Sequence, residues 1–443
     1  MKEKKYYYKI TLIEIFKLIL LLMKAIFKKI IIIILCSINI VLCQESAYKF
    51  DILSNPNNNN NYWWLTRNNE GKYIDSHSIN FNWTLNNEST NYKITLSDSF
   101  SENQTIALGE SFIRHSFSDN LFLRVGKYYR DFSVYLNDNL SSGSMLISNN
   151  AQALPKMGLV GSFKTKRRKD ISFVWGISHG LFKKNQYYSD PPFLHEKFLY
   201  LNILENNTHN FSIGFVHEAI WAGTTTELGS VNNPGNQPDS FKDFLKVFIS
   251  ADGTLIDGES HANALGSHSG IWDFIYIKKS GNKKIKLYYQ HYFEDTSSLR
   301  FANKTDGLWG IELINYAPKT NILLEYLDTS HCCIDPPYQN DNYYWNYQYR
   351  DGWKYKNMIM GNPFVNNDKS RDEVRLFHLG ISSHIRNSIL HFKASRKINE
   401  SDFIKYKLSV YRKINKANVH TFLVGNEQDY GFGFGLSYHF EKK

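Results

Sequence analysis

Tyr430-Gly431-Phe432-Gly433-Phe434-Gly435-Leu436-Ser437-Tyr438-His439-Phe440 stands just before the end of the chain. Successive side chains of a strand point to opposite faces. Tyr430, Phe432, Phe434, Leu436, Tyr438 and Phe440 therefore share one face, and Gly431, Gly433, Gly435, Ser437 and His439 share the other. A soluble core strand seldom sets so many large groups against so much glycine. A strand with lipid outside and a polar lumen inside does so naturally. An aromatic near the C-terminus is also the usual assembly signal of outer-membrane barrels, and here Phe440 is followed by Glu441-Lys442-Lys443.

The same period of two recurs throughout the chain. It is carried by Ile79, Phe81, Trp83 and Leu85; by Ile171, Phe173, Trp175 and Ile177; by Phe211, Ile213 and Phe215; and by Trp272, Phe274 and Tyr276. Ile322, Leu324 and Tyr326, then Tyr406, Leu408 and Val410, continue it. Turn-rich clusters such as Lys279-Ser280-Gly281-Asn282-Lys283 separate the runs. The spacing predicts a transmembrane antiparallel outer-membrane β-barrel of about 16 to 18 strands. A soluble sandwich or propeller is the competing architecture. Paired strands satisfy the backbone inside a bilayer, so a mean hydropathy of −0.42 is compatible with a membrane location. One internal stretch, residues 238–249, has helical period, with Phe241, Phe244, Leu245 and Phe248 on one face and Asp239 and Ser240 as cap candidates.

The 443 residues carry 52 Lys+Arg, 42 Asp+Glu, 15 His and 4 Cys. Residues 1–43 hold eight Lys and two Glu, so the remaining 400 carry 44 basic and 40 acidic groups. That small, dispersed excess is no nucleic-acid footprint, and Lys166-Arg167-Arg168-Lys169 reads as a solvated turn. Lys24, Lys28 and Lys29 precede the apolar run Ile30 to Val41, which is too short to span a bilayer comfortably. This is the pattern of a signal peptide over residues 1–43, with Met23 as an alternative start. A retained anchor and a weak lipoprotein box at Val41-Leu42-Cys43 are the alternatives. Residues 44–75 are expected to form a short N-terminal extension and 76–443 the barrel. After cleavage only Cys332 and Cys333 remain, too few for a disulfide framework and too close for a metal site.

Catalytic motifs are sparse. His217-Glu218 and His195-Glu196 begin like a zinc-protease motif, but Trp221 and Leu199 stand where its second histidine belongs. Gly266-Ser267-His268-Ser269-Gly270 is the most suggestive nucleophile cluster, and a barrel lipid hydrolase would need Ser267 or Ser269 within reach of a histidine. The simpler reading is a small-residue turn. No cofactor or metal is expected, and no enzymatic activity. Three segments are rich in aromatic, acidic and glycine residues: His217–Gly223, Tyr343–Tyr355 and Met360–Phe364. Aromatic faces cover sugar C–H patches while acids, amides and arginine take hydroxyls. Interfacial anchoring accounts for the same aromatics.

These segments resemble the capsule assembly Wzi family. The likeness runs through Gly126-Lys127-Tyr128-Tyr129-Arg130-Asp131, Leu194-His195-Glu196-Lys197-Phe198-Leu199, Gly214-Phe215 to Trp221-Ala222-Gly223, and Tyr349-Arg350-Asp351-Gly352-Trp353-Lys354-Tyr355 with Gly361-Asn362-Pro363. It covers roughly residues 75–440. The resemblance implies an outer-membrane barrel with a lectin-like role, binding exported capsular polysaccharide at the cell surface. Outer-membrane lipids and the barrel assembly machinery are its other expected partners. Trp221, Tyr349, Asp351 and Trp353, supported by Glu218 and Arg350, are the candidate glycan-binding residues. A diffusion porin or sugar-uptake channel shares every barrel feature, and an open lumen would favour it. The family's N-terminal helical plug is not evident in residues 44–75, and helix 238–249 is the one candidate for sealing the lumen. The mature N-terminus is expected just after Cys43. Intact-mass measurement of the membrane-extracted protein checks this, and retention of Ile30–Val41 would indicate an anchor instead.

Overall fold

Alternating strands joined by polar turns can bury their backbone groups by closing on themselves. A computed structural model of the protein shows such closure. It describes residues 45–54, 63–72, 77–99, 106–228, 234–254, 263–294, 296–332, 342–368, 373–400, 403–415 and 417–442. The expected signal peptide lies outside these residues. The wall is one antiparallel barrel of 18 strands, at the upper end of the expected range. Neighbours in space are neighbours in sequence. Two pieces, Ile106–Leu108 and Ser111–Ser118, share one place beside Thr90–Ser99. The strand Glu45–Ser54 pairs with His77–Asn86 on one side and with Tyr430–Lys442 on the other, which closes the ring. The wall thus starts inside the segment expected to be an extension. Phe50 and Ile52 face outward there, and Lys49 meets Asp51 at 3.0 Å. That alternation is brief and runs into an Asn-rich tract, which masks it in the sequence.

The two ends of the barrel differ. At one end the connections are short, as between Ser118 and Leu121 or between Ser280 and Lys283, and the exposed Lys166–Lys169 turn lies there. At the other end the chain makes excursions between Lys127 and Pro155, between Trp221 and Ser267, and between Asp328 and Arg375. Short turns on one side and long loops on the other are the pattern of outer-membrane barrels.

The last strand follows its sequence reading. Tyr430, Phe432, Phe434 and Leu436 are exposed on the outer face, while Gly431, Gly433 and Gly435 are buried. The glycines have a packing reason. A Cβ on Gly433 would meet the Phe422 ring at 2.1 Å, and one on Gly310 would meet the Tyr288 ring at 2.0 Å. Each glycine gives a lumen-facing aromatic of the next strand a flat place to lie.

Helix Phe241–Phe248 is present, capped by Ser240 and Asp243 in a reciprocal box. It does not enter the lumen. Phe244 packs on His179, His195 and Trp221, which are on the outer face of the wall. Replacing Phe434 with Lys puts a charge on the lipid-facing stripe and should cost about 2–4 kcal/mol if it lies near the bilayer midplane. Equilibrium refolding into vesicles, with Phe434→Leu as the neutral control, measures that loss.

Candidate functional site

The lumen is lined with acids, and a loop satisfies them. Residues 128–154 turn back into the barrel instead of extending away from it. Asp273 accepts from Ser133 Oγ at 2.6 Å, Tyr135 OH at 2.5 Å and Tyr200 OH at 2.7 Å. Glu312 accepts from Asn137 at 2.8 Å and from Lys286 at 2.6 Å. Glu325 accepts from Ser141 Oγ and the Ser142 amide, both at 2.7 Å, and from Tyr288 OH at 2.5 Å. On the strand between those of Asp273 and Glu312, Gln290 Oε1 accepts from the Met145 amide at 2.9 Å, and beyond Glu325 His378 Nε2 lies 2.6 Å from the Leu140 carbonyl oxygen. The loop therefore bonds to at least five strands and fills the lumen at the long-loop end.

Two further segments lock onto this plug. From 342–368, Trp353 Nε1 donates to Leu146 O at 2.7 Å, and Asn362 Nδ2 donates to Gly143 O at 2.7 Å. Tyr344 OH donates to Met145 O, and Ser148 Oγ donates back to Gly361 O at 2.7 Å. From 63–72, Asn68 Nδ2 donates to Ser142 O at 2.8 Å, and Trp63 stacks on Phe364 at 4.1 Å between ring centroids.

The predicted site residues take three different positions. Tyr349, Arg350, Asp351 and Trp353 come together in the outermost segment. Trp353 is buried against the plug. Tyr349 is buried too, its OH donating to Ala222 O at 3.1 Å. Asp351 is buried and accepts from Asn185 at 2.7 Å. Burial holds its carboxyl above the ordinary carboxylate range, and Lys354 and the Asn185 bond offset only part of that rise. Arg350 is partly exposed and lies over the Trp345 ring at 5.1 Å. Glu218 and Trp221 share one strand but face opposite ways. Glu218 points into the lumen beside Glu196, which holds Lys156 at 2.8 Å. Trp221 faces outward, between Phe193 at 5.7 Å and Phe244 at 5.6 Å.

Segment 342–368 offers solvent a mixture of aromatic, amide and charged groups, with Lys356, Asn357 and Asp368 exposed. Trp345, Asn346, Tyr347, Gln348 and Arg350 are partly exposed. Lys183 and Lys356 stand close enough to repel, and partial burial together with that repulsion lowers the Lys356 ammonium below its ordinary value.

Against known proteins, the family model for capsule assembly protein Wzi matches residues 60–388. The chain belongs to the capsule assembly protein Wzi family. Its fold is similar to that of Wzi from Escherichia coli, described as an outer membrane protein involved in group 1 capsule assembly and a carbohydrate-binding β-barrel. The likeness has a TM-score of 0.58 at 12% identity and covers 90% of this chain and 84% of that one. A mutant of the Rh. blastica porin overlaps 89% of this chain and 99% of that one at 9% identity, with a TM-score of 0.38 that carries no argument. A search of curated proteins gives no match. As a Wzi-family barrel, the protein resides in the outer membrane.

Several features of this Wzi-family chain escaped sequence reading. The plug loop lacks period two, and its small polar run Ser141-Ser142-Gly143-Ser144 reads as an ordinary connection. Lys183 and Lys356 carry no motif. The serine cluster divides across the wall: Ser269 accepts from Tyr292 OH at 3.0 Å in the lumen, whereas His268 faces outward and meets His217 at 2.9 Å. The pairing required for a hydrolase at Ser269 is therefore not formed. Asp306, Asp328 and His331 gather ligand atoms within 4.8 Å of one another. Their carboxylates already accept from Tyr343 OH, Tyr326 OH and the amides of Ser330 and His331.

Asp306 ties the start of segment 342–368 to the rim, and burial raises its carboxyl from 3.8 to about 6. An acid with a raised folded-state value favours the fold in its neutral form. That contribution is whole below pH 3.8 and is lost as pH climbs through about 6. Amide exchange at Tyr343 and Tyr344, corrected for intrinsic rate, should therefore quicken over that window. Asp306→Asn should remove the dependence.

Proposed function

We propose that this barrel holds exported capsular polysaccharide at the cell surface, without catalysis, on the solvent edge of its plug. The observation that carries the reading is Trp345 under the Arg350 guanidinium, both partly exposed, with Tyr347 beside them in sequence; Lys183 and Lys356 form a separate basic pair. Flat aromatic faces suit sugar rings, and guanidinium and ammonium groups suit the carboxylates of an acidic glycan. Arg350 is the contact residue among those predicted. Tyr349, Asp351 and Trp353 act as positioning residues beneath it, through Ala222, Asn185 and Leu146 respectively. Trp221 and Glu218 support the same strand end from its two faces. The family membership and the carbohydrate-binding description of the Escherichia coli protein support a glycan as partner. The filled lumen supports binding over diffusion, because the plug loop occupies the path that a porin would leave open.

The test uses Trp345→Ala with Arg350→Ala. Isolated acidic capsular polysaccharide should bind the purified variant about tenfold or more weakly, a loss of ~1.4 kcal/mol, and cells should shed capsule into the medium. Heat-modifiable mobility and low ion conductance should be unchanged. Retained capsule together with free conductance through the unaltered protein would favour a channel instead.

A further inference from the structure

Over part of its circumference the outer wall carries an aromatic girdle. Trp309, Tyr326 and Phe377 each stand two residues in from the long-loop end of their strands. Tyr289 stacks on Trp309 at 3.8 Å, and Tyr326 packs on Phe377 at 5.2 Å. Aromatic belts of this kind sit at the boundary between headgroups and acyl chains.

On the strands Ser172–Leu181, Phe193–Ile203 and His209–Trp221, the corresponding positions are His179, His195 and Ala219. They lie in one lateral row, which His268 continues. His217 adjoins the row, 2.9 Å from His268. Polar rings at this depth cannot face acyl chains without loss. The helix Phe241–Phe248 covers His179 and His195, and Ser250 just beyond it lies 3.0 Å from His217. Phe244 contacts His179 and His195, Phe248 contacts His195, and Lys197 donates to the Phe248 carbonyl. His195 is fully buried as a result.

The covering helix restores an apolar exterior. Phe241, Leu245 and Ile249 recur every four residues and are 74%, 47% and 71% exposed. Lys242 and Lys246 lie beside that stripe, also four apart. An amphipathic helix with an aromatic-aliphatic edge and flanking lysines is the form of an element lying in a membrane interface. We infer that helix Phe241–Phe248 lies in the outer leaflet of the outer membrane, with Phe241, Leu245 and Ile249 at the acyl boundary and Lys242 and Lys246 on the phosphates of a phosphorylated glycolipid. The occupant follows from continuity with the lipid-facing wall and from the charge of the two lysines. The inference rests on the outer-membrane location and not on the glycan reading.

The test labels Leu245→Cys in the full barrel with an environment-sensitive fluorophore. The barrel is reconstituted in phosphatidylcholine vesicles with and without lipid A, and heat-modifiable mobility confirms folding. Phe241→Cys serves if the first variant misfolds. Expected are blue-shifted emission, quenching by lipids carrying a shallow nitroxide, and a larger shift when lipid A is present. Lys242→Glu with Lys246→Glu should abolish the lipid A increment and leave the shift in phosphatidylcholine. Water-like emission and full quenching by iodide in both vesicle types would overturn the interfacial assignment. An increment that survives the lysine substitutions would overturn the phosphate contact.

Discussion

Three lumen carboxylates, Asp273, Glu312 and Glu325, set the terms for the interior of this barrel. Burying an ionised acid is costly unless donors surround it. The wall supplies Tyr200, Lys286 and Tyr288 as donors. The remaining donors come from one returning loop, through Ser133, Tyr135, Asn137, Ser141 and the Ser142 amide. Removing that loop would leave the acids short of partners. The plug is thus held by the needs of the wall as much as by its own packing, and the segments 63–72 and 342–368 then build on it. Trp353, Tyr344 and Asn362 bond to backbone carbonyls of the loop, so the solvent edge around Arg350 depends on a network that begins with buried acids.

The wall was legible in the sequence because lipid outside and a packed lumen inside impose a period of two, and Tyr430–Phe440 displays it without interruption. The glycine face of that strand was legible as small and polar, but not its purpose, since only the neighbouring strand shows that Phe422 lies across Gly433. The plug was hidden for the opposite reason. Its donors to the acids are Ser, Tyr, Asn and a main-chain amide whose carboxylate partners stand more than a hundred residues away, and no local period marks such pairings. Helix Phe241–Phe248 was found from its own pattern, yet the side of the wall it covers depends on His179 and His195, which belong to two much earlier strands. Of the candidate site, the segment Tyr343–Tyr355 was found by composition. Burial then separates Arg350, which meets solvent, from Tyr349 and Trp353, which support it.

The strand end at Trp221 joins the two outer features. Trp221 packs outward on Phe244, while the carbonyl of Ala222, the next residue, receives the Tyr349 hydroxyl. Ala222 adopts a left-handed conformation, φ 57°, and Gly223 follows at φ 75°. That sharp reversal lets adjacent residues serve the membrane face and the plug face of one wall. A change in how the outer helix is seated would be felt first at this reversal.

The span of the plug contacts also bears on how the barrel can be made. The Leu140 carbonyl waits for His378, 238 positions later, and Trp64 donates to Lys405 O across 341. Contacts this distant in sequence form late, because a long loop must be closed before any of them is gained. The first strand likewise lacks one neighbour until the last strand, Tyr430–Lys442, arrives. Until then the chain carries an unpaired edge. Wall closure is therefore a terminal event, and a chain stalled before its last few strands holds its plug bonds to Asp273, Glu312 and Glu325 inside a wall that is still open.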